Sequence, residues 1–343
     1  VEKLKMKKKI LFIFFAICLL SCYVLGQDNV KTYIDKTRQL QNEGKTVEAE
    51  SEISKAIGIA PDDADLYIKR AEIYLELKET DKMKQDLDQA ISLDSNDEKT
   101  VWKAANVMYR AQIYGREYCS SAVSILDTYL ANHANIDNLI HFRGIAKQCA
   151  GDLYGAYEDF SKASELKPDN SSYLQALSTS LTNIGDSPQA LELLNKLISD
   201  SESRLSAEKD NNKIWQLKYR VSQFYGSRSY VFEKQGNTDA MFSDLNKMVE
   251  VLPKESSYIR RAMAYVRQKK FAEAINDYNE IIKLQPKQID NYIRRGDLFF
   301  RVGKYSEAIN DYEKAITLNE NIRLKEMLNT RIEQARQKMK ENK

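Results

Sequence analysis

Apolar positions in this chain keep a helical rhythm and break it at regular intervals. Tyr292, Arg295, Gly296 and Phe299 share one face of a helix, Gly303 interrupts it, and Ala308, Tyr312 and Ala315 make the apolar face of a second helix. The same arrangement stands 34 residues upstream: Tyr258, Arg261, Tyr265 and the run Glu273 to Tyr278 recur as Tyr292, Arg295, Phe299 and the run Glu307 to Tyr312. A fixed period of this length means that one helix–turn–helix unit is used again and again. Such a unit cannot bury its apolar face alone and has to stack on its neighbours.

From Val30 the template can be laid along nearly the whole chain. Five repeats are expected over 30–204 (30–63, 64–97, 98–136, 137–170 and 171–204). A linker or helix extension follows over 205–221, then three repeats over 222–322, the last two at 255–288 and 289–322. Four of the five prolines, Pro61, Pro168, Pro253 and Pro286, fall where one repeat closes, which ends a helix and sets the approach to the next. Small residues such as Ala71, Gly144, Ala156, Ala190, Ala274, Gly296 and Ala308 stand where helices have to cross closely. The third repeat carries about five extra residues around Gly115 to Cys119, expected to lengthen the loop between its helices. Asp200 to Lys213 is polar and off-period and marks the best division into two arms, with the first helix of the sixth repeat starting early and running long. Over 323–343, Leu324, Met327, Leu328, Ile332, Ala335 and Met339 make one stripe of a helix that would cap the last repeat.

Bulky, small and aromatic residues at these spacings resemble the tetratricopeptide repeat, whose pattern runs W-x2-L-G-x2-Y, then A-x3-F, then a closing Pro. Arg295 stands where that pattern has Leu, Lys147 where it has an aromatic, and Glu320 where it has Pro. The resemblance implies an all-α fold: a right-handed superhelix, or α-solenoid, of about eight repeats plus a C-terminal capping helix. It also implies that the first helices line a concave groove which holds a peptide or another protein. Mapped on this chain, groove positions are Trp102, Asn106, Tyr109 and Arg110 in the third repeat, His141 and Gln148 in the fourth, Gln175 and Asn183 in the fifth, and Tyr230 in the sixth. Trp and Arg are enriched at binding hot spots. The family's carboxylate clamp needs Lys and Asn at fixed first-helix positions; the first repeat has Ile34 and Arg38 there, so that activity is not carried over. In the implied architecture Cys119 and Cys149 lie on one edge of the stack, Cys119 just before a second helix and Cys149 near the end of the next first helix. A disulfide between them is therefore a candidate.

Charge and composition narrow the function further. Lys plus Arg is 52 and Asp plus Glu is 50, and five lysines against one glutamate lie within the first 26 residues, so the remainder is slightly acidic and carries no footprint for nucleic acid. Lys3, Lys5, Lys7, Lys8 and Lys9 precede the apolar run Ile10 to Leu20, the layout of a secretory signal and too short to span a bilayer comfortably. Two exits are readable: cleavage after Val24-Leu25-Gly26, or a bacterial lipobox at Leu19-Leu20-Ser21-Cys22 with Cys22 lipidated. Either places the mature protein in the periplasm or cell envelope, touching a membrane only through a lipid anchor. His133 and His141 are the only histidines, no His or Cys pair has metal-ligand spacing, and no carboxylate sits in a glycine-rich or nucleophile-elbow context. The sequence thus points to a non-enzymatic adaptor without cofactor, metal or small-molecule substrate. The competing expectation is a structural or assembly component of an envelope complex, held through its convex face or ends.

Overall fold

The computed structural model describes residues 29–318 and 322–341. Among them there is no strand, and helical hairpins follow one another in chain order. Repeat 1 pairs α1 (residues 29–42) with α2 (Thr46–Ile59), repeat 2 α3 (Ala64–Leu77) with α4 (Thr80–Leu93), and repeat 3 α5 (Glu98–Arg110) with α6 (Glu117–Leu130). Repeat 4 pairs α7 (Asp137–Ala150) with α8 (Leu153–Leu166), and repeat 5 α9 (Ser171–Asn183) with α10 (Ser187–Ala207). Then come α11 (Asn211–Lys234) with α12 (Thr238–Val251), α13 (Glu255–Arg267) with α14 (Phe271–Leu284), α15 (Ile289–Arg301) with α16 (Tyr305–Thr317), and α17 (Ile322–Glu341).

The chain forms two compact units, up to Tyr173 and from Leu174, and the polar stretch 200–213 lies inside the second. That stretch is the tip of a long hairpin. α10 runs 21 residues and α11 runs 24, with only 208–210 between them. The early, long first helix of repeat 6 is therefore present, and its polarity is that of a solvated helix end. In repeat 3 the extra residues form a 3-10 turn, Ala111–Ile113, and the bend to Arg116.

Local chemistry explains the hairpins. Asp97, Asp152, Asp186 and Asn237 cap second or first helices by accepting from the backbone N–H three residues on, at 2.7 to 3.1 Å. Between paired helices the chain turns through a left-handed residue at one repeat position: Gly151 at φ 99° and Gly303 at φ 77°, with Lys78 and Lys269 taking the same role without glycine's freedom. Close crossings use missing side chains. A Cβ on Gly144 would lie 2.7 Å from the Phe160 ring, and one on Gly296 2.8 Å from the Tyr312 ring. Ala71, Ala156, Ala190, Ala274 and Ala308 are buried at the equivalent contacts.

A second motif recurs beside this packing. Arg70, Arg143, Arg228, Arg261 and Arg295 each grip an aspartate 16 residues on, Asp86, Asp159, Asp244, Asp277 and Asp311, through Nε and Nη2 at 2.5 to 3.1 Å. The remaining Nη1 donates to the second helix of the preceding repeat: to Ser54, Asp127, Asn195, Asn246 and Asn279 in turn. One guanidinium thereby joins three helices. Except for Arg143, each is also flanked by aromatic rings three residues before and four after, with Cζ 5.3 to 6.0 Å from the centroids. Arg143 has Lys147 in place of the second ring, and that ammonium makes a second contact to Asp159 at 3.0 Å. Repeat 1 substitutes Lys36 and Glu52 at 3.0 Å. Arg295 and Lys147, departures from the repeat pattern, thus belong to an ionic lattice of this chain's own.

The C-terminal helix buries Leu328 and Ile332 against Tyr292, Ala308, Tyr312 and Ala315 of repeat 8, and its Ala335 is also buried. Met327, expected on that stripe, is 42% exposed, because it lies on the outer side of α17.

Candidate functional site

In the first unit, the exposed faces of successive first helices are tied to one another. Gln41 donates to Glu76, Arg110 to Glu72 at 3.0 Å, Asn138 to Glu98 at 3.0 Å, and the Tyr173 hydroxyl to Asp137 at 2.9 Å. The candidate residues fall into this lacework unevenly. Trp102 is 41% exposed and leans on Phe142, ring centroids 6.3 Å apart, and Tyr109 meets the same ring edge-on at 5.7 Å. Asn106 is half-buried one turn from Trp102 on α5. Arg110 closes α5 and is already paired with Glu72, both side chains nearly half exposed. Trp102, Asn106, Tyr109 and Arg110 are thus brought together on one helix face, with Phe142 of α7 completing an aromatic patch.

His141 is placed for packing. It stacks on Tyr173 at 4.5 Å and lies 5.4 Å from the Phe160 ring, and loss of water there holds its pKa below the ordinary histidine value. Burial, then the hydrogen bond to Asp137, pushes the Tyr173 hydroxyl up to about 12. Gln148 is half-buried near the C-terminal end of α7. Cys119 lies in the first turn of α6, not before it, and Cys149 is the penultimate residue of α7. The two form a disulfide with Cα atoms 5.9 Å apart.

The second unit holds the other three candidates. Gln175 donates to Gln223 at 3.3 Å, and the Tyr230 hydroxyl donates to Asn183 at 3.0 Å, so α9 and α11 are linked face to face. Next to Tyr230 the sequence reading missed a cleft of about 600 Å³ between α11, α12 and α13, lined by Tyr230, Glu233, Lys234, Met241, Arg260 and Met263 among others. The signal was Gly226. It occupies the α11 position equivalent to Trp102 and His141, and a glycine on a binding face leaves room for something else. The signal region 1–26 and the lipidation candidate Cys22 lie outside the described residues. Among the described residues no group of His, Cys, Asp and Glu could hold a metal ion, and no helix is long and apolar enough to cross a membrane.

Stacked helical hairpins with small residues at their crossings define a helical-repeat protein. Family models for the tetratricopeptide repeat match residues 64–97, 256–288 and 290–322, and the chain is a tetratricopeptide-repeat protein, a class that generally serves as a scaffold for protein–protein interaction. Among solved structures it is similar to a tetratricopeptide repeat protein from Parabacteroides merdae, at 15% identity over 90% of this chain and 99% of that one, TM-score 0.43. It is also similar to PilW, described as a widely conserved type IV pilus biogenesis factor, at 16% identity over 65% and 94%, TM-score 0.44. A third is MamA from Desulfovibrio magneticus RS-1, at 18% identity over 51% and 97%, TM-score 0.40. Likenesses at this level carry no argument about function. No curated protein matches the chain.

Proposed function

We propose that the protein is an exported, non-enzymatic adaptor of the bacterial cell envelope that holds a segment of a partner protein on the first-helix faces of its repeats. The observation that carries this reading is the patch on α5 and α7. Trp102 is a large aromatic left 41% exposed on a face where the repeat's packing does not need it, and Tyr109 and Phe142 extend it. Arg110 sits at one end in an exposed ion pair of the kind that contributes little to stability and is readily exchanged for a partner's carboxylate. Replacing Trp102 and Arg110 by Ala should weaken capture of the partner at least tenfold, about 1.4 kcal/mol, with the melting temperature nearly unchanged. Normal capture by the double variant, or loss only through unfolding, overturns the assignment.

Export is supported by the basic-then-apolar N-terminus and by the Cys119–Cys149 disulfide, which suits an oxidising compartment. Intact-mass analysis should find a mature N-terminus at Gln27 or a lipidated Cys22; an unprocessed cytosolic chain sinks this part. The second reading, a component of an envelope complex held through its convex face or ends, draws on Trp215 and Tyr219 beside the tip of the α10–α11 hairpin. They stack at 5.8 Å near the start of α11 and are 56% and 38% exposed. If the partner is lost on replacing these two and kept on replacing Trp102 and Arg110, that reading prevails.

A further inference from the structure

The cleft in the second unit combines an apolar floor with positive charge that the protein does not neutralise. Met241 and Leu245 of α12 form the floor and Met263 of α13 stands at its edge, 47% exposed. Thioether side chains adapt to varied apolar partners. Of the three cations lining the cleft, Arg267 is committed, holding Glu233 in a two-point contact at 2.6 and 3.1 Å. Lys234 lies over the Tyr230 ring at 5.4 Å and has no carboxylate partner among the described residues.

Arg260 is the unusual one. Its guanidinium lies against α11 at Gly226, so close that a Cβ there would come within 2.2 Å of Nη1. No hydrogen bond or ion pair to it occurs among the described residues, in contrast to the five arginines gripped by aspartates. It is open to the cleft, yet the walls displace enough water to lower its pKa from the ordinary arginine value. Arginine stays charged under such conditions, and its flat fork matches a carboxylate.

We infer that this cleft docks a peptide segment of a partner protein that carries an acidic side chain beside an apolar one, the carboxylate on Arg260 and the apolar group on Met241, Leu245 and Met263. The inference rests on the interaction-scaffold reading but uses other repeats than the Trp102 patch, the cleft of α11 to α13 in the second unit in place of α5 and α7 in the first. Charge complementarity selects the occupant: Glu233, bonded to Arg267 and acting on Arg260 only through its field, is the one anion lining the cleft against three cations, and the floor rejects a purely polar ligand. Gly226 is what keeps the guanidinium lying in the cleft.

The test uses a phage-displayed library of random 12-residue peptides selected on the full-length protein. The expected peptides carry Asp or Glu within one helical turn of Leu, Met or Phe. A fluorescein-labelled synthetic copy should lose about tenfold in affinity when its acid is changed to the amide, and the acid-to-amide penalty should vanish on Arg260→Gln. Gly226→Ala keeps every charge, removes a helix-disfavouring glycine and should displace the guanidinium; it too should abolish the penalty, and it decides the matter if Arg260→Gln fails to fold. Selection of peptides without acids, no selection at all, or a penalty that survives both substitutions overturns the inference. Those outcomes leave the Trp102 reading standing, whereas normal partner capture by the Trp102 and Arg110 variant with the acid preference intact sinks only that earlier reading.

Discussion

Each guanidinium in the Arg–Asp lattice meets its aspartate with two parallel N–H donors while a third reaches the preceding repeat, and the aspartates are nearly inaccessible, 3 to 7% exposed in their side chains against 19 to 21% for the arginines. Repeats 3 and 5 show that the slot can be filled otherwise. Ala104 and Ile125, and Leu177 and Leu193, occupy the matching positions. That is a natural comparison of ionic with apolar filling, and a buried pair is disrupted far more by removing one partner than by replacing both. Asp244→Ala should therefore destabilise by about 3 to 5 kcal/mol, read as a shift in the urea midpoint, while Arg228→Leu with Asp244→Leu should lose much less. Equal losses would show that the lattice is not the source of the effect. Repeat 1 has the incomplete version: Lys36 and Lys55 both hold Oε1 of Glu52, and Oε2 is buried without a partner. Hydrogen bonds from Lys55 and then Lys36 hold the Glu52 pKa below the ordinary glutamate value. A depressed acid contributes stability that is full above its unfolded pKa, about 4.3, and is lost as pH falls through the folded one. Wild type should accordingly exceed Glu52→Gln in urea midpoint at pH 7, with the gap closing toward pH 3; a gap that is constant with pH excludes this linkage. The recurring Arg261 and Arg295, and Asp277 and Asp311, were visible in the sequence one position at a time. Their pairing was not, because it links two helices at a separation of 16 that no single-helix period reveals.

At the level of elements, the helices themselves were legible: the 34-residue period, the closing prolines and the small crossing residues fix which segments pair, and Gly144 and Gly296 lie where a methyl would strike a ring. What sequence could not give was how exposed faces are used. Arg110 is tied to Glu72, His141 is stacked beneath Tyr173, and Asn183 receives the Tyr230 hydroxyl, all through contacts between helices 30 or more residues apart. No single-helix period reveals partners at such separations. The disulfide is the clearest case of an inter-element link. It joins α6 to α7 across the bend that follows repeat 3, its cysteines 30 positions apart in sequence. Closing a loop of that size in the unfolded chain is worth about 3 to 4 kcal/mol in the chain-entropy picture. Cys119→Ser with Cys149→Ser should lower stability by that order in chemical denaturation, and a reductant should do the same to wild type while leaving the double variant unchanged. A reductant that shifts the variant equally would mean that the bond is not what it acts on.

Across the whole molecule, a stack of repeats in which each contacts chiefly its neighbours has stability that is the sum of local terms, so the ends are its weak points. The C-terminal end is sealed by α17, which covers Tyr292, Tyr312 and Ala315 with Leu328 and Ile332. It is further fixed by Arg331, which reaches Asp297 and lies 5.9 Å from the Tyr312 ring centroid. Tyr312 is 2% exposed in this arrangement, and burial followed by its hydrogen bond to Asp297 raises its pKa. The sequence showed this cap as an amphipathic stripe, but polarity at 200–213 belongs equally to a linker and to the solvated tip of two long helices, and the sequence does not separate the two. Because the seal is local, removing it should have a local consequence. A chain truncated after Thr317 exposes the apolar face of repeat 8 and should lose hydrogen-exchange protection over residues 289–317 first, while α13 and α14 stay protected and the Tyr312 hydroxyl titrates closer to 10, the ordinary tyrosine value. Uniform loss of protection across residues 174–317 would instead mean that the second unit unfolds as one cooperative block, and undiminished protection of α15 and α16 would mean that α17 is not the cap.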